Sequence, residues 1–339
     1  LNIGPADLVF INEATGGGFG SKIGPYPFMA ISGNFAKVLN RPLQLRITRE
    51  QEFYIGSARS GMQGWIKMGV KADGKVSAVD LVIVNDGGAT GGGSGNSSAQ
   101  HVTDAYQPEN MRYRGISVYT NTTPRGAQRG PGQNEMASVL APIADKAAKA
   151  IGMDRVAFRR INAIDSDGFQ GGSQGPVTSA FVREALDQGK RTFGWDEKQA
   201  LPKQNGSKVR GVGVGIGYHG AGGRGYDGLV RIGTDGKLYI HSGVGNLGTY
   251  SYAGTARAAA EALKMPWERC EILRGRTDNH LPHSSGQGGS NTIFTHTRTN
   301  WVAAQDAIAK LKEIAAADLG GEADDYEIGD ERVFSKSQP

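Results

Sequence analysis

Cysteine is nearly missing from this 339-residue chain, where Cys270 stands alone. One thiol cannot close an intrachain disulfide, and it cannot hold an iron–sulfur cluster. Histidine is sparse too: His101, His219, His241, His280, His283 and His296 include no i, i+4 pair, and Pro282 breaks the spacing between His280 and His283. That argues against a zinc site on a helix. No stretch approaches the ~20 apolar residues of a membrane span, and no signal-peptide pattern is visible, so the expected location is cytoplasmic. Lys and Arg total 38 against 33 Asp and Glu, a net charge of +5, yet no run of five or six like charges occurs. Charge so dispersed argues against a nucleic-acid partner. An acidic sister subunit or an anionic cofactor accounts for the small excess.

Glycine is what the chain has in abundance, 52 residues in all, about twice the usual share and without a collagen period. Two glycine segments stand out. Thr15, Gly16, Gly17, Gly18, Phe19, Gly20, Ser21, Lys22 follows a strand-like run from Asp7 to Glu13 and leads into an apolar segment, Pro25 to Val38. It fails the dinucleotide fingerprint, because the sixth position from Gly16 is Ser21, and it fails the phosphate-loop motif, because Ser21 precedes Lys22 and Ile23 follows. A plain nucleotide-binding module is therefore disfavoured. The second segment, Thr123 to Gln133, carries Gly126, Gly130 and Gly132 with Arg125 and Arg129 just before a helix starting near Glu135. Such glycines let main chain approach a ligand closely, and the arginines supply fixed positive charge. The same residues also suit a solvated arginine–glycine turn, and Phe19 also suits a core aromatic closing its glycine turn.

The rest reads as two similar halves, with a boundary near residue 170. Trp65 to Ala72 and Val76 to Val84 flank Asp73-Gly74, while Gly228 to Gly233 and Leu238 to Ser242 flank Asp235-Gly236, both strong hairpin signals. Alanine-rich helical spacing marks Glu135 to Ala150, Ala253 to Leu263 and Thr299 to Ala317. A strand is expected from Arg41 to Glu50, a turn-rich break from Asp165 to Ser179, and a polar linker from Gln199 to Lys208.

Taken in order, these segments resemble the molybdopterin-binding large subunit of the molybdenum hydroxylases, the xanthine dehydrogenase and aldehyde oxidoreductase family. The resemblance rests on the Gly16–Gly20 loop, the run from Arg41 to Glu50, the arginine–glycine loop, the segment Gly152 to Asn162, and the small-residue loop Ser284 to Ser290. It implies an α+β fold of two elongated mixed α/β lobes, 1–170 and 171–339, as in the molybdopterin-binding domain of xanthine oxidase-like enzymes. It also implies a molybdenum–molybdopterin cofactor, in a cytosine dinucleotide form, bound by Gly17, Gly18, Phe19, Gly20, Arg129, Thr249, Gln287, Gly288 and Gly289. Gln128, Pro131, Tyr218 and His219 are the candidates for lining the substrate path; His219, beside Tyr218 in a glycine-rich segment with Arg224 and Tyr226, also suits a loop histidine hydrogen-bonded to backbone. The cofactor would receive hydrogen bonds from the protein, and no side chain would ligate the metal directly. Substrates implied are an N-heteroaromatic, an aldehyde or a similar activated carbon, hydroxylated with water as oxygen source.

Several positions depart from the commonest family pattern. Pro131 replaces a phenylalanine that faces flat substrates, Thr249 replaces a glutamine, and Ile23 replaces an acidic residue of purine-oxidising members, so xanthine is not the expected substrate. The family's catalytic glutamate has no counterpart among Glu13, Glu50 or Glu135; the chain resembles a central portion of the molybdenum subunit, either a split subunit or a fragment, and the base is expected on a partner chain that completes it. Iron–sulfur clusters and FAD are expected on further subunits, since this chain lacks the thiols. Alternatives are a cofactor-cradle scaffold without catalysis and a hydratase using the same cofactor.

Overall fold

The computed structural model describes residues 2–93, 95–166, 168–170, 175–222 and 225–338. Its contacts fall into two compact units, Phe19–Ser21 with Arg46–His219, and Leu1–Gly18 with Lys22–Leu45 and Gly220–Pro339.

In the unit containing Arg46–His219, strands Met62–Val70 and Val76–Asp86 form the antiparallel hairpin expected around Asp73-Gly74. A third strand, Asn110–Val118, lies parallel to Val76–Asp86, with Ala78 opposite Asn110 and Asp86 opposite Val118. Parallel neighbours need a crossover, and helix Gly95–Tyr106 supplies it. From Val79 to Asn85 every second residue turns inward, so that Val79, Leu81 and Ile83 meet Val102 and Tyr106 from the crossover helix. Met136, Leu140, Ala144 and Ala148 from helix Gln133–Ala150 close the same core, with Phe158 from helix Arg155–Asn162. The fully buried Arg159 is neutralised by Asp145 at 2.7 Å and donates to the carbonyl of Ala141 at 2.9 Å.

The other unit repeats this plan. Leu229–Ile232 and Leu238–Ser242 make an antiparallel hairpin around Asp235-Gly236, helix Ser251–Ala262 crosses over, and Cys270–Arg274 pairs parallel to Leu238–Ser242. The long helix Thr297–Leu319 follows, opened by a π-helical turn at Thr292–His296. Leu238, Ile240, Ala256, Ala259, Ala260 and Ala304 form the core, and the terminal hairpin of Tyr326–Gly329 and Arg332–Ser335 seals it with Ile328. Alanine at the buried helix positions lets the helices approach closely. Among the described residues, no helix is long and apolar enough to cross a membrane.

The structure differs from expectation at several segments. The run from Asp7 to Glu13 is no strand: after a single turn at Pro5–Asp7 only Ile11 makes a bridge, to Arg276. Residues 41–47 run without strand pairing, and Arg49–Ile55 is a helix because Thr48 and Gln51 form a reciprocal capping box. Residues 204–205 of the expected polar linker pair with 208–209 in a minimal hairpin. Part of the turn-rich break, residues 167 and 171–174, lies outside the described residues, as does Arg224.

One side chain ties the hairpin turn to the helices. Buried Asn162 accepts from the amide of Val76 at 2.9 Å and donates to the carbonyls of Gly74 at 2.8 Å and Phe158 at 2.9 Å. Asn162→Ala strands these groups away from water, and a loss of about 3 kcal/mol is expected. Urea denaturation followed by tryptophan fluorescence measures it; a loss below about 1 kcal/mol would show the bonds are replaced.

Candidate functional site

The two glycine segments singled out in the sequence touch one another. The amide of Arg129 donates to the carbonyl of Phe19 at 2.6 Å. A Cβ placed on Gly20 would lie 2.5 Å from the carbonyl oxygen of Ala127, so only glycine permits the approach. Gly20 has φ +117, and Phe19 itself sits in the left-handed region at φ 54, a strained state for an aromatic residue. The residue is 61 % exposed, with the Arg129 guanidinium 5.9 Å from its ring centroid. Phe19 is thus an outward-facing residue rather than a core plug.

Charged clasps fix the arginine–glycine loop from both ends. At its start, Arg125 pairs with Asp86 at 2.7 Å, and Asp86 also accepts from Thr120, Thr122 and the amide of Gly88. The bonds from Thr120, Gly88, Arg125 and Thr122 hold the Asp86 carboxyl well below the usual carboxylate range. Farther along, Arg59 donates to the carbonyl of Arg129 at 2.8 Å and pairs with Glu135 at 3.2 Å, while Glu135 accepts from the amide of Gly132 at 2.9 Å. Gly130 and Gly132 take φ of 70 and 85, turning the chain into helix Gln133–Ala150. Gln128 and Pro131 are half-buried within this clasped loop. Tyr218 and His219 lie elsewhere in the same unit: the Tyr218 hydroxyl accepts from Gln170 Nε2, and His219 is exposed.

The other unit gathers a second set of small-residue loops. The amide of Gly16 donates to the carbonyl of Asn246 at 3.1 Å, and Lys22 Nζ donates to the carbonyl of Thr15 at 2.7 Å. A Cβ on Gly18 would meet the Lys22 side chain at 2.9 Å, and one on Gly245 would lie 3.3 Å from Gln287 Oε1. Ile23 lines the Ser284–Ser290 loop, within 3.5 Å of a Cβ position on Gly286 and 3.7 Å of one on Gly288. Gly289, at φ +65, faces open space, and Gly17 is exposed. Thr249 is engaged locally, its hydroxyl donating to Ser251 at 3.3 Å.

Behind that loop lies a buried polar cluster the sequence did not disclose. Tyr226 donates to Asn291 at 2.9 Å, His296 Nδ1 and the Thr255 hydroxyl are 2.9 Å apart, and Asn300 donates to the Thr255 carbonyl at 3.0 Å. Its partners are tens of residues apart, so no local motif marks it. Burial pushes the His296 imidazole down to about 4.

This arrangement suits a particular kind of ligand. Among the described residues, no group of three His, Cys, Asp or Glu is placed to hold a metal. A metal carried by its own organic ligand asks instead for hydrogen-bond donors and close main chain. Each unit by itself offers both: in one the amide of Phe19, and in the other those of Gln287 and Gly289, donate to no backbone carbonyl among the described residues, and glycine opens the approach.

Residues 1–163 and again 188–339 match the molybdopterin cofactor-binding domain. The chain belongs to the molybdenum hydroxylase family. It is 27 % identical to the aldehyde oxidoreductase molybdenum-binding subunit PaoC of Escherichia coli (strain K12), over 98 % of this chain and 44 % of that one. The xanthine dehydrogenase molybdenum-binding subunit of Escherichia coli O157:H7 is 26 % identical over 84 % of this chain and 39 % of its own length. Quinoline 2-oxidoreductase from Pseudomonas putida 86 shares the fold, with a TM-score of 0.82 at 20 % identity over 95 % of this chain and 44 % of that one. Aldehyde oxidoreductase from Desulfovibrio gigas superposes with a TM-score of 0.80 at 24 % identity, over 94 % and 37 %. The chain therefore spans less than half the length of these relatives.

The buried histidine yields a pH signature. An unfolded-state imidazole protonates near pH 6.5, whereas that of folded His296 protonates only near 4. Stability is therefore full above about pH 6.5 and falls as pH drops toward 4, by about 3 kcal/mol in all. Thermal melts at pH 7, 5.5 and 4.5 should show a shallower decline for His296→Gln than for wild type; equal slopes would remove His296 from the acid response.

Proposed function

We propose that this chain forms the cofactor cradle of a molybdenum hydroxylase that oxidises an aldehyde, an N-heteroaromatic or a similarly activated carbon. When bound, the molybdenum–molybdopterin cofactor, in its cytosine dinucleotide form, supplies the two-electron oxidation with water as oxygen source. The reading is carried by one observation, the main-chain contact of Phe19–Gly20 with Ala127–Arg129. That contact holds Phe19 in the left-handed region, with its side chain exposed and the Arg129 guanidinium over its ring. In this reading Gly17, Gly18, Phe19, Gly20 and Arg129 contact the cofactor, and so do Gln287, Gly288 and Gly289, in lobes 1–170 and 171–339. Rigid amides aimed at a fixed group cost no reorganisation during reaction. Thr249 belongs to the same set, its hydroxyl bonded to that of Ser251.

In this reading Gln128, Pro131, Tyr218 and His219 line the substrate path. Pro131 offers an apolar surface without an aromatic face, which favours shape over stacking as the basis of selection. The general base is a glutamate outside this chain, and electrons pass to iron–sulfur and flavin subunits. Partner subunits also account for helix Pro27–Leu39, which buries none of its residues and exposes Phe35, Val38 and Leu39. Bare apolar helices of this kind mark protein–protein surfaces. The names of the relatives, aldehyde oxidoreductase and xanthine dehydrogenase among them, support the reaction class.

Metal and pterin analysis of the purified native assembly tests the reading. Wild type is expected to carry molybdenum and a pterin dinucleotide near one per chain, and Arg129→Ala and Gly289→Leu to carry at least about tenfold less, since each loses an ion-strength contact or gains a forbidden side chain. A folded wild-type assembly devoid of both would overturn it.

A further inference from the structure

Tyr226 spans the base of the Ser285–Ser290 loop. On one flank it forms an isolated antiparallel bridge with Ser284, and the next amide, of Asp227, donates to the carbonyl of His283 at 2.9 Å. On the other flank its hydroxyl donates to Oδ1 of Asn291 at 2.9 Å. Contacts on both sides convert a run of small residues, with few side chains to anchor it, into a closed loop. Both partners are removed from water, Tyr226 at 8 % exposure and Asn291 at 1 %. A hydrogen bond so placed is not traded for water when the loop moves.

The ring of Tyr226 is itself braced. His296 lies 5.6 Å away, centroid to centroid, tilted by 54°. The Thr299 hydroxyl donates to the Tyr226 carbonyl at 3.3 Å, and the amide of Thr295 donates to the Asn291 carbonyl at 2.9 Å. Phenylalanine would fill the same apolar volume, so packing alone gives no reason for the hydroxyl. Its one hydrogen-bond partner among the described residues is the residue that ends the loop.

We propose that Tyr226 is a positioning residue for the cofactor, its bond to Asn291 holding the Ser285–Ser290 loop so that the amides of Gln287 and Gly289 stay aimed at the ligand. The inference rests on the cofactor reading above. Tyr226 touches neither cofactor nor substrate; it acts through the loop. Loss of one buried neutral hydrogen bond corresponds to about fivefold in loop opening.

Tyr226→Phe, Asn291→Ala and the double variant, each purified in the native assembly, decide the matter by two readouts other than activity. The first is hydrogen exchange of the 285–290 amides, and the second is the rate of pterin loss on dialysis. Either single variant is expected to speed exchange and pterin loss about fivefold, and the double variant no more than the larger single effect, because the two groups make one bond. Unchanged exchange in both single variants would overturn the clasp. Faster exchange with pterin retained at the wild-type rate would overturn the positioning role and leave the cofactor reading intact. Wild type without pterin would overturn both.

Discussion

Main chain pressed against main chain at Gly20 is the constraint from which the site's geometry follows. No side chain fits between Gly20 and the Ala127 carbonyl, so the two loops meet main chain to main chain. Phe19 is forced into a left-handed conformation with its ring outward, and its carbonyl is taken by Arg129. Strain of this kind persists only where the surroundings over-determine it. Here the Asp86–Arg125 pair at one end and the Arg59–Glu135 pair at the other leave the loop no room to relax.

Each unit uses the same plan of hairpin, crossover helix and parallel strand, and each places a glycine loop ahead of a long helix. The loops are secured by different physics. Gly126–Gly132 is held by partly exposed ion pairs, which salt weakens. Ser285–Ser290 is held by neutral hydrogen bonds among buried Tyr226, Asn291, His296 and Thr255, which salt leaves alone and acid disturbs through the imidazole. The two loops therefore have anchors that fail under different conditions.

Local signals carried much of the fold. The turns at Asp73-Gly74 and Asp235-Gly236 announced both hairpins, and alanine spacing found the helices at Gln133–Ala150, Ser251–Ala262 and Thr297–Leu319 within two residues at each end. Tertiary context overrode the pattern elsewhere. Leu43, Leu45 and Ile47 alternate as in a strand, yet no neighbouring strand pairs with them, and the capping box at Thr48 starts a helix instead. Helix Gly95–Tyr106 opens with Gly95, Asn96, Ser97 and Ser98, poor helix formers, and exists because Val102, Ala105 and Tyr106 are buried. Glycine content pointed to both loops of the site, because close approach needs glycine whatever the partner. The contact between Phe19 and Arg129 and the clasp of Tyr226 on Asn291 join residues too distant in sequence for any motif to link them.

The π-helical turn at Thr292–His296 stands between the glycine loop and the long helix. A π turn accommodates one residue more than an α-helical turn, and one residue of helix amounts to about 100° of rotation about the axis. The extra residue sets the angle at which the chain leaves the loop and enters the helix. Chain length within this turn thus acts as a phase adjustment between cradle and scaffold. A single deletion there would leave charge and apolar content almost untouched and still turn the loop away from its present direction.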